Sequence, residues 1–297
     1  MTMRIPPPGT YTALVTPLRK NGQVDEKKLA ALVEFQIKNG IDGIVPVGTT
    51  GESPTMSHAE HIRIIQVVIK AGKKRCHIMA GTGSNSTDEA VSLTQKAENA
   101  GADSCLLVAP YYNKPTQEGL FRHFKEIAKC TSLPLVLYSI PARCGIEIGV
   151  GTIRRLLDAC GNIVGIKEAG GTPDRVSQLR IACGEKFRIL SGDDSMTLPF
   201  MAVGAEGVIS VASNIIPKQV STMVRCYLSG KVEEARALHL KYYPIYKELF
   251  IETNPIPIKA AMAMREMIEE VYRLPLYRMG DKNREVLRAE MEKLGLL

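Results

Sequence analysis

The sequence predicts an α/β chain folded as a closed (β/α)8 barrel, with a helical extension at its C-terminal end. Three observations lead there. Short apolar runs rich in β-branched residues recur eight times between residues 11 and 211, each trailed by a stretch of helical period. The runs are continuous rather than alternating, as strands covered on both faces must be. After Gly230 the runs cease and only helical patterns remain.

Residues 11–17 read as the first strand. Asp25 then caps a helix that runs to Asn39-Gly40, a stop signal. Residues 43–48 form the second strand. The helix over 57–72 opens with Ser57-His58-Ala59-Glu60, whose serine and glutamate have the spacing of a capping box. Strands over 77–81 and 104–109 follow, with helices over 86–101 and 116–131. The fifth strand, 135–138, precedes a helix over 150–160. The sixth, Asn162-Ile163-Val164-Gly165-Ile166-Lys167, ends in a lysine and leads to a helix over 173–183. Residues 188–192 and 207–211 give the seventh and eighth. Eight is the count that closes a TIM barrel. An open doubly wound sheet needs six strands and a GxGxxG after the first, which is missing. The expected division is a barrel domain over 1–230 and a helical domain over 231–297, broken at Asn254-Pro255-Ile256-Pro257 and near Pro275.

Composition narrows the function. Of 297 residues, 45% are apolar and 23% charged, ordinary for a soluble globule. The net charge of +7 is dispersed; its tightest run, Lys73-Lys74-Arg75, has no stacking aromatics, which speaks against nucleic acid and for small anionic substrates. Seven scattered cysteines without a CxxC pair suggest a reducing cytoplasm rather than a disulfide framework or a zinc site. No stretch suits a bilayer, and the start, residues 1–8, lacks the apolar centre of a signal peptide. His58 and His61 are three apart and do not form HExxH, so no metal is expected.

In a barrel of this kind the chemistry gathers where strands end. Lys167 ends the sixth strand, and a lysine stripped of water there becomes a nucleophile toward carbonyls. Tyr138 ends the neighbouring fifth strand, a phenol placed to shuttle protons. Gly48-Thr49-Thr50-Gly51-Glu52-Ser53 follows the second strand, with hydroxyls and free N–H groups suited to a carboxylate or phosphate. Pro110-Tyr111-Tyr112 follows the fourth and Ser191-Gly192-Asp193-Asp194 the seventh.

This ordered set, with Pro141, Arg143 and Gly165-Ile166-Lys167-Glu168-Ala169, resembles the class I, pyruvate-dependent aldolase and lyase superfamily, and within it the dihydrodipicolinate synthase family. The resemblance spans the chain from Thr16-Pro17 to Asn254-Pro255-Ile256-Pro257-Ile258-Lys259. It implies condensation of pyruvate with L-aspartate-4-semialdehyde, in lysine and diaminopimelate biosynthesis, through a Schiff base on Lys167 and without a cofactor. Thr50, Tyr138 and Tyr112 correspond to a proton relay whose second loop tyrosine crosses from a neighbouring subunit, in a cytoplasmic homotetramer (a dimer of dimers). Thr49 and Thr50 correspond to contacts with the pyruvate carboxylate, Arg143 to the receiver of the aldehyde's carboxylate, and Gly192 and Ile209 to backbone contacts near the lysine. Ser53, His58, His61, Asn85, Glu89 and Tyr111 correspond to an allosteric site for lysine as feedback inhibitor. Ser139 and Pro54 depart from the family's common residues. N-acetylneuraminate, sugar-acid and hydroxy-oxoglutarate aldolases share the lysine and tyrosine, and a silent ligand-binding barrel is the reading from a different class; a phosphate-binding barrel lacks its glycine-rich loop.

Overall fold

The computed structural model describes residues 5–297, so part of the N-terminal run weighed as a signal peptide, residues 1–4, lies outside the described residues. Eight parallel strands close into a barrel in sequence order: β1 (Gly9–Ala13), β2 (Gly43–Val45), β3 (His77–Gly81), β4 (Ser104–Val108), β5 (Leu135–Ser139), β6 (Ile163–Glu168), β7 (Arg188–Ser191) and β8 (Gly207–Ser210). Pairing of β1 with β8, Gly9 beside Gly207 through Thr12 beside Ser210, makes the seam.

Helices cover the outside. They are α1 (Glu26–Lys38), α2 (His58–Gly72), α3 (Thr87–Ala100), α4 (Gln117–Lys129), α5 (Pro141–Cys144), α6 (Val150–Ala159), α7 (Pro173–Cys183), α8 (Thr197–Ala202) and α9 (Pro217–Leu228). The capping box of α2 forms as its sequence demands, with Ser57 and Glu60 each satisfying the other's backbone N–H. The extension holds α10 (Val232–Glu248), α11 (Ile256–Met264) and α12 (Asp281–Lys293); α10 packs on α9, and α12 against α10 and α11.

The continuous apolar character of the strands follows from two separate cores. Tyr11, Ala13, Val45, Met79, Leu106, Val136, Tyr138, Leu190 and Ile209 fill the barrel interior. Their neighbours along the strands, such as Leu135, Leu137 and Ile166, face the helices.

Several strand bounds differ from the expectation. β1 runs over Gly9–Ala13 rather than 11–17, and the N–H of Val15 turns to the side chain of Asn214 (3.1 Å). β2 stops at Val45 because Pro46 has no N–H and Val47 is left-handed (φ 53°). β6 continues one residue past Lys167, to Glu168, and the short α5 lies in what reads as loop.

One irregularity decides the chemistry. Leu135 pairs with Ile163, but Val136 pairs with Gly165, so β6 holds one residue more than β5. That extra residue shifts the register by one. It sets Lys167, rather than Ile166, beside Tyr138, and both side chains point inward. Gly165 is needed there, since a Cβ would lie 2.5 Å from the carbonyl oxygen of Arg188 on β7. Gly165→Ala should therefore destabilise the protein by about 1–3 kcal/mol. Gly161→Ala, where a Cβ meets nothing within 4 Å, should stay within about 0.5 kcal/mol of the parent. Urea midpoints of the two variants check this; equal midpoints would mean the β6–β7 seam has room.

Candidate active site

The strand ends at the C-terminal rim surround a cavity of about 310 Å³. Thr49, Thr50, Tyr138, Arg143, Lys167 and Asn254 are among its walls. Lys167 reaches it from β6 with only 6% of its surface exposed. Its Nζ lies 4.1 Å from the centre of the Tyr138 ring. Burial, opposed by the nearby Asp194 carboxylate and assisted by the Arg143 guanidinium, pulls the Lys167 amine down to about 7. That is a bias against the ammonium on the order of 5 kcal/mol, and it leaves a large share of the amine as free base near neutrality. Burial likewise raises the Tyr138 phenol above its ordinary range, so it stays protonated and able to donate.

Asp194 is the counterweight. It is buried beyond β7, and its carboxylate accepts the N–H groups of Val211 (2.9 Å) and Ala212 (3.0 Å) as well as the Ser210 hydroxyl. Burial pushes its carboxyl up to about 6, against those hydrogen bonds. Gly192, on the same turn, lets the backbone approach the lysine; a Cβ there would stand 3.0 Å from Lys167 Cε.

Thr50 is held from the extension. Its Oγ1 accepts a hydrogen bond from Asn254 Nδ2 (3.0 Å), and Arg143 Nη2 donates to the carbonyl of Asn254 (2.9 Å). The structure thus brings Thr49, Thr50, Tyr138, Arg143, Lys167 and Gly192 to one cavity. Ile209 lies in the interior layer on β8. Tyr112 is not brought in: it is 90% exposed, in a left-handed conformation (φ 74°), outside the cavity of its own chain.

The six residues matched to an effector site adjoin this cavity. Ser53 and Tyr111 share its wall. Beside them Glu89 is already engaged at both oxygens, by His58 Nε2 (2.6 Å) and by the Ser84 hydroxyl. The Ser84 hydrogen bond, then His58, hold the Glu89 carboxyl below its usual range. His61 is buried with Nε2 2.7 Å from the Gly81 carbonyl, and Asn85 Nδ2 donates to the carbonyl of Tyr111 (3.2 Å).

Sequence reading missed Asn254 and Asp194. The first is marked in the sequence by a helix break and by the motif that ends the family resemblance, neither of which gives it a role in the site. The second was one of a pair of aspartates after β7, with no sign of which turns inward. Among the described residues no three His, Cys, Asp or Glu side chains gather to hold a metal ion, and no helix is long and apolar enough to cross a membrane.

A parallel eight-stranded barrel with a buried lysine at the rim, set against a tyrosine with an arginine at the mouth, defines an enzyme of the lyase class. Comparison with known proteins specifies it. The profile of the Dihydrodipicolinate synthetase family matches residues 6–294. The 4-hydroxy-tetrahydrodipicolinate synthase of Sulfurihydrogenibium sp. (strain YO3AOP1) is 51% identical over 290 residues, covering 97% of this chain and 99% of that protein. The solved structure of 4-hydroxy-tetrahydrodipicolinate synthase from Methylacidiphilum fumariolicum SolV superposes with a TM-score of 0.96 at 56% identity, covering 97% of this chain and 96% of that one. A lysine-bound structure of the enzyme from Cyanidioschyzon merolae superposes with a TM-score of 0.95 at 39% identity, covering 98% and 99%. The chain belongs to the dihydrodipicolinate synthetase family.

The balance of charges around Lys167 has a measurable sign. The free base is the reactive form, so acylation of Lys167 by an amine-directed reagent should rise with pH through a midpoint near 7. Asp194 favours the ammonium; Asp194→Asn keeps the shape, removes the charge and should move that midpoint below 7. Peptide mapping of the label against pH reads it, and a midpoint that stays or rises contradicts the account.

Proposed function

We propose that this chain condenses pyruvate with L-aspartate-4-semialdehyde to 4-hydroxy-tetrahydrodipicolinate, in lysine and diaminopimelate biosynthesis, through an imine on Lys167. The observation that carries the route is the buried Lys167 amine, lowered to about 7 and set against Tyr138 at the barrel rim. Family membership supplies the substrates.

Lys167 Nζ adds to the keto carbon of pyruvate, whose carboxylate rests on Thr49 and Thr50. The carbinol oxygen leaves as water, protonated through Tyr138 and Thr50. The iminium draws electrons from the methyl carbon, which gives up a proton and becomes an enamine. That carbon attacks the aldehyde of the second substrate, whose carboxylate meets the Arg143 fork at the mouth. The substrate's own amine then closes the ring on the former keto carbon and displaces Lys167. The backbone carbonyls of Gly192 and Ile209 serve as contacts beside the lysine.

Tyr112 belongs to this relay through a neighbouring subunit. Its ring stands free of its own cavity on a strained backbone, which supports an assembly in which each chain lends a tyrosine to another; the family resemblance implies that this is a cytoplasmic homotetramer, a dimer of dimers. Ser53, His58, His61, Asn85, Glu89 and Tyr111 form the lysine site at that interface. The lysine-bound relative supports it, and Tyr111 joins it directly to Tyr112. The division into a barrel over 1–230 and a helical domain over 231–297 is part of the same proposal.

Borohydride reduction with pyruvate should add a stable mass to the Lys167 peptide, and Lys167→Ala should abolish it. Label on another lysine would refute the assignment. Arg143→Ala should keep the adduct yet lose about a hundredfold in kcat/KM for the semialdehyde. Equal loss of both would return the sugar-acid aldolases to consideration.

Millimolar lysine should inhibit turnover incompletely and without competing with pyruvate. Glu89→Ala should abolish that inhibition and retain most of the activity. A lysine titration on both forms decides the matter, with unchanged inhibition in the variant removing Glu89 from the site.

A further inference from the structure

Below the reactive loop lies a pair of charges that the chemistry at Lys167 does not use. Glu52 follows Thr49-Thr50-Gly51, and Lys259 sits on α11. Both side chains are wholly buried and in direct contact, with Lys259 Nζ donating to Glu52 Oε1 and to the carbonyl of Val271. The other oxygen, Oε2, accepts the N–H of Arg273 (3.4 Å), whose guanidinium forks onto Glu60 of α2 (2.6 and 2.9 Å). Both oxygens of Glu52 are thus held from the C-terminal extension.

Stability does not account for the pair, since a well-packed apolar pair of the same size is often as stable as a buried ion pair or more so. Its connections do. Val47 and Glu52 are both non-glycine residues in left-handed backbone (φ 53° and 58°), one at each end of the loop that carries Thr49 and Thr50. Each such residue costs roughly 1–3 kcal/mol and persists only where its surroundings over-determine it. At Val47 the surroundings are packed backbone: Gly51 and Gly81 both press against it. At Glu52 they are Lys259 and the N–H of Arg273. A second tie runs beside the first, because Asn254, two residues before α11, donates to the Thr50 hydroxyl.

We propose that Glu52 and Lys259 are positioning residues for the reaction: their buried contact fastens α11 to the loop over residues 47–52, so that Asn254 holds the Thr50 hydroxyl in place for proton transfer. This rests on the reading of Thr50 as a relay group. It makes the extension a working part of the site. A fault in the pair acts first on the proton transfers through Thr50 and leaves Tyr138 and Asp194 in place beside the lysine.

The test is a double-mutant cycle of Glu52→Gln, Lys259→Met and the two combined. Each variant is measured for kcat per folded enzyme, for melting temperature, and for the borohydride-trapped pyruvate adduct on Lys167 after long incubation. Each single change should lower kcat at least tenfold, and the combination should fall no further than the worse single, because both break one contact. The adduct should persist in all three. The combined variant leaves no lone charge in the interior, so its melting temperature should stay within a few degrees of the parent and separate a kinetic effect from a folding one. Unchanged kcat in the combined variant, or single losses that multiply, would overturn the proposal. Where a single variant does not fold, Glu52→Asp keeps the charge and shortens its reach; a severalfold lower kcat supports the proposal, and an unchanged one overturns it. An adduct missing from the parent enzyme would defeat the Lys167 mechanism itself. An adduct present with full kcat in the combined variant defeats only the positioning role.

Discussion

The exclusion of water from one amine is the constraint on which the rest depends. A lysine in open solvent is charged at neutral pH and does not attack a carbonyl. Lys167 escapes because its stem leaves β6 toward the barrel interior and its amine ends against the face of Tyr138. The barrel supplies the dry wall. It also supplies the limits: Asp194 holds the amine back from losing its proton altogether, and Arg143 pushes the other way. A free base that forms near neutral pH is the outcome of that three-way balance.

The two cores of the fold serve this balance differently. The layer between strands and helices is a continuous apolar body that fixes where each strand lies. The interior layer is smaller, and at its upper end aromatic and charged groups replace aliphatic ones. The turn between α10 and α11 adds Phe250 and Asn254 to the wall of the cavity. Asn254 reaches in from it to touch both the threonine and the arginine on which the two substrate carboxylates are proposed to rest.

Much of this was legible in the sequence, for reasons of period and chemistry. Eight apolar runs and their helices are local signals, and the capping box at Ser57 and Glu60 is a local signal made good. Lys167 and Tyr138 lie near the ends of adjacent strands, so the order of strands brings them to one rim, and the extra residue in β6 then sets them side by side. What stayed hidden lies in long-range contact. Glu52 and Lys259 are 207 residues apart, and Asn254 and Thr50 are 204 apart, so no window of sequence holds both partners. Strand ends were misplaced where a tertiary partner takes over a backbone group, as Asn214 does at Val15, or where a proline withholds one, as at Pro46. Tyr112 was readable as a catalytic type, but its position outside its own cavity is a fact of the assembled fold.

The extra residue in β6 carries an evolutionary consequence. Loops between barrel elements can gain or lose residues at small cost. Between Gly165 and Lys167 the chain has no such freedom to gain a residue, because side chains on a strand alternate between its two faces. Loss of the extra residue, Val164, would only restore regular pairing and keep Lys167 beside Tyr138, whereas one residue inserted between Gly165 and Lys167 would turn the lysine out toward the helices and bring Ile166 into the cavity. Across descendants of this sequence, that segment should tolerate exchange of one aliphatic residue for another and admit no added residue.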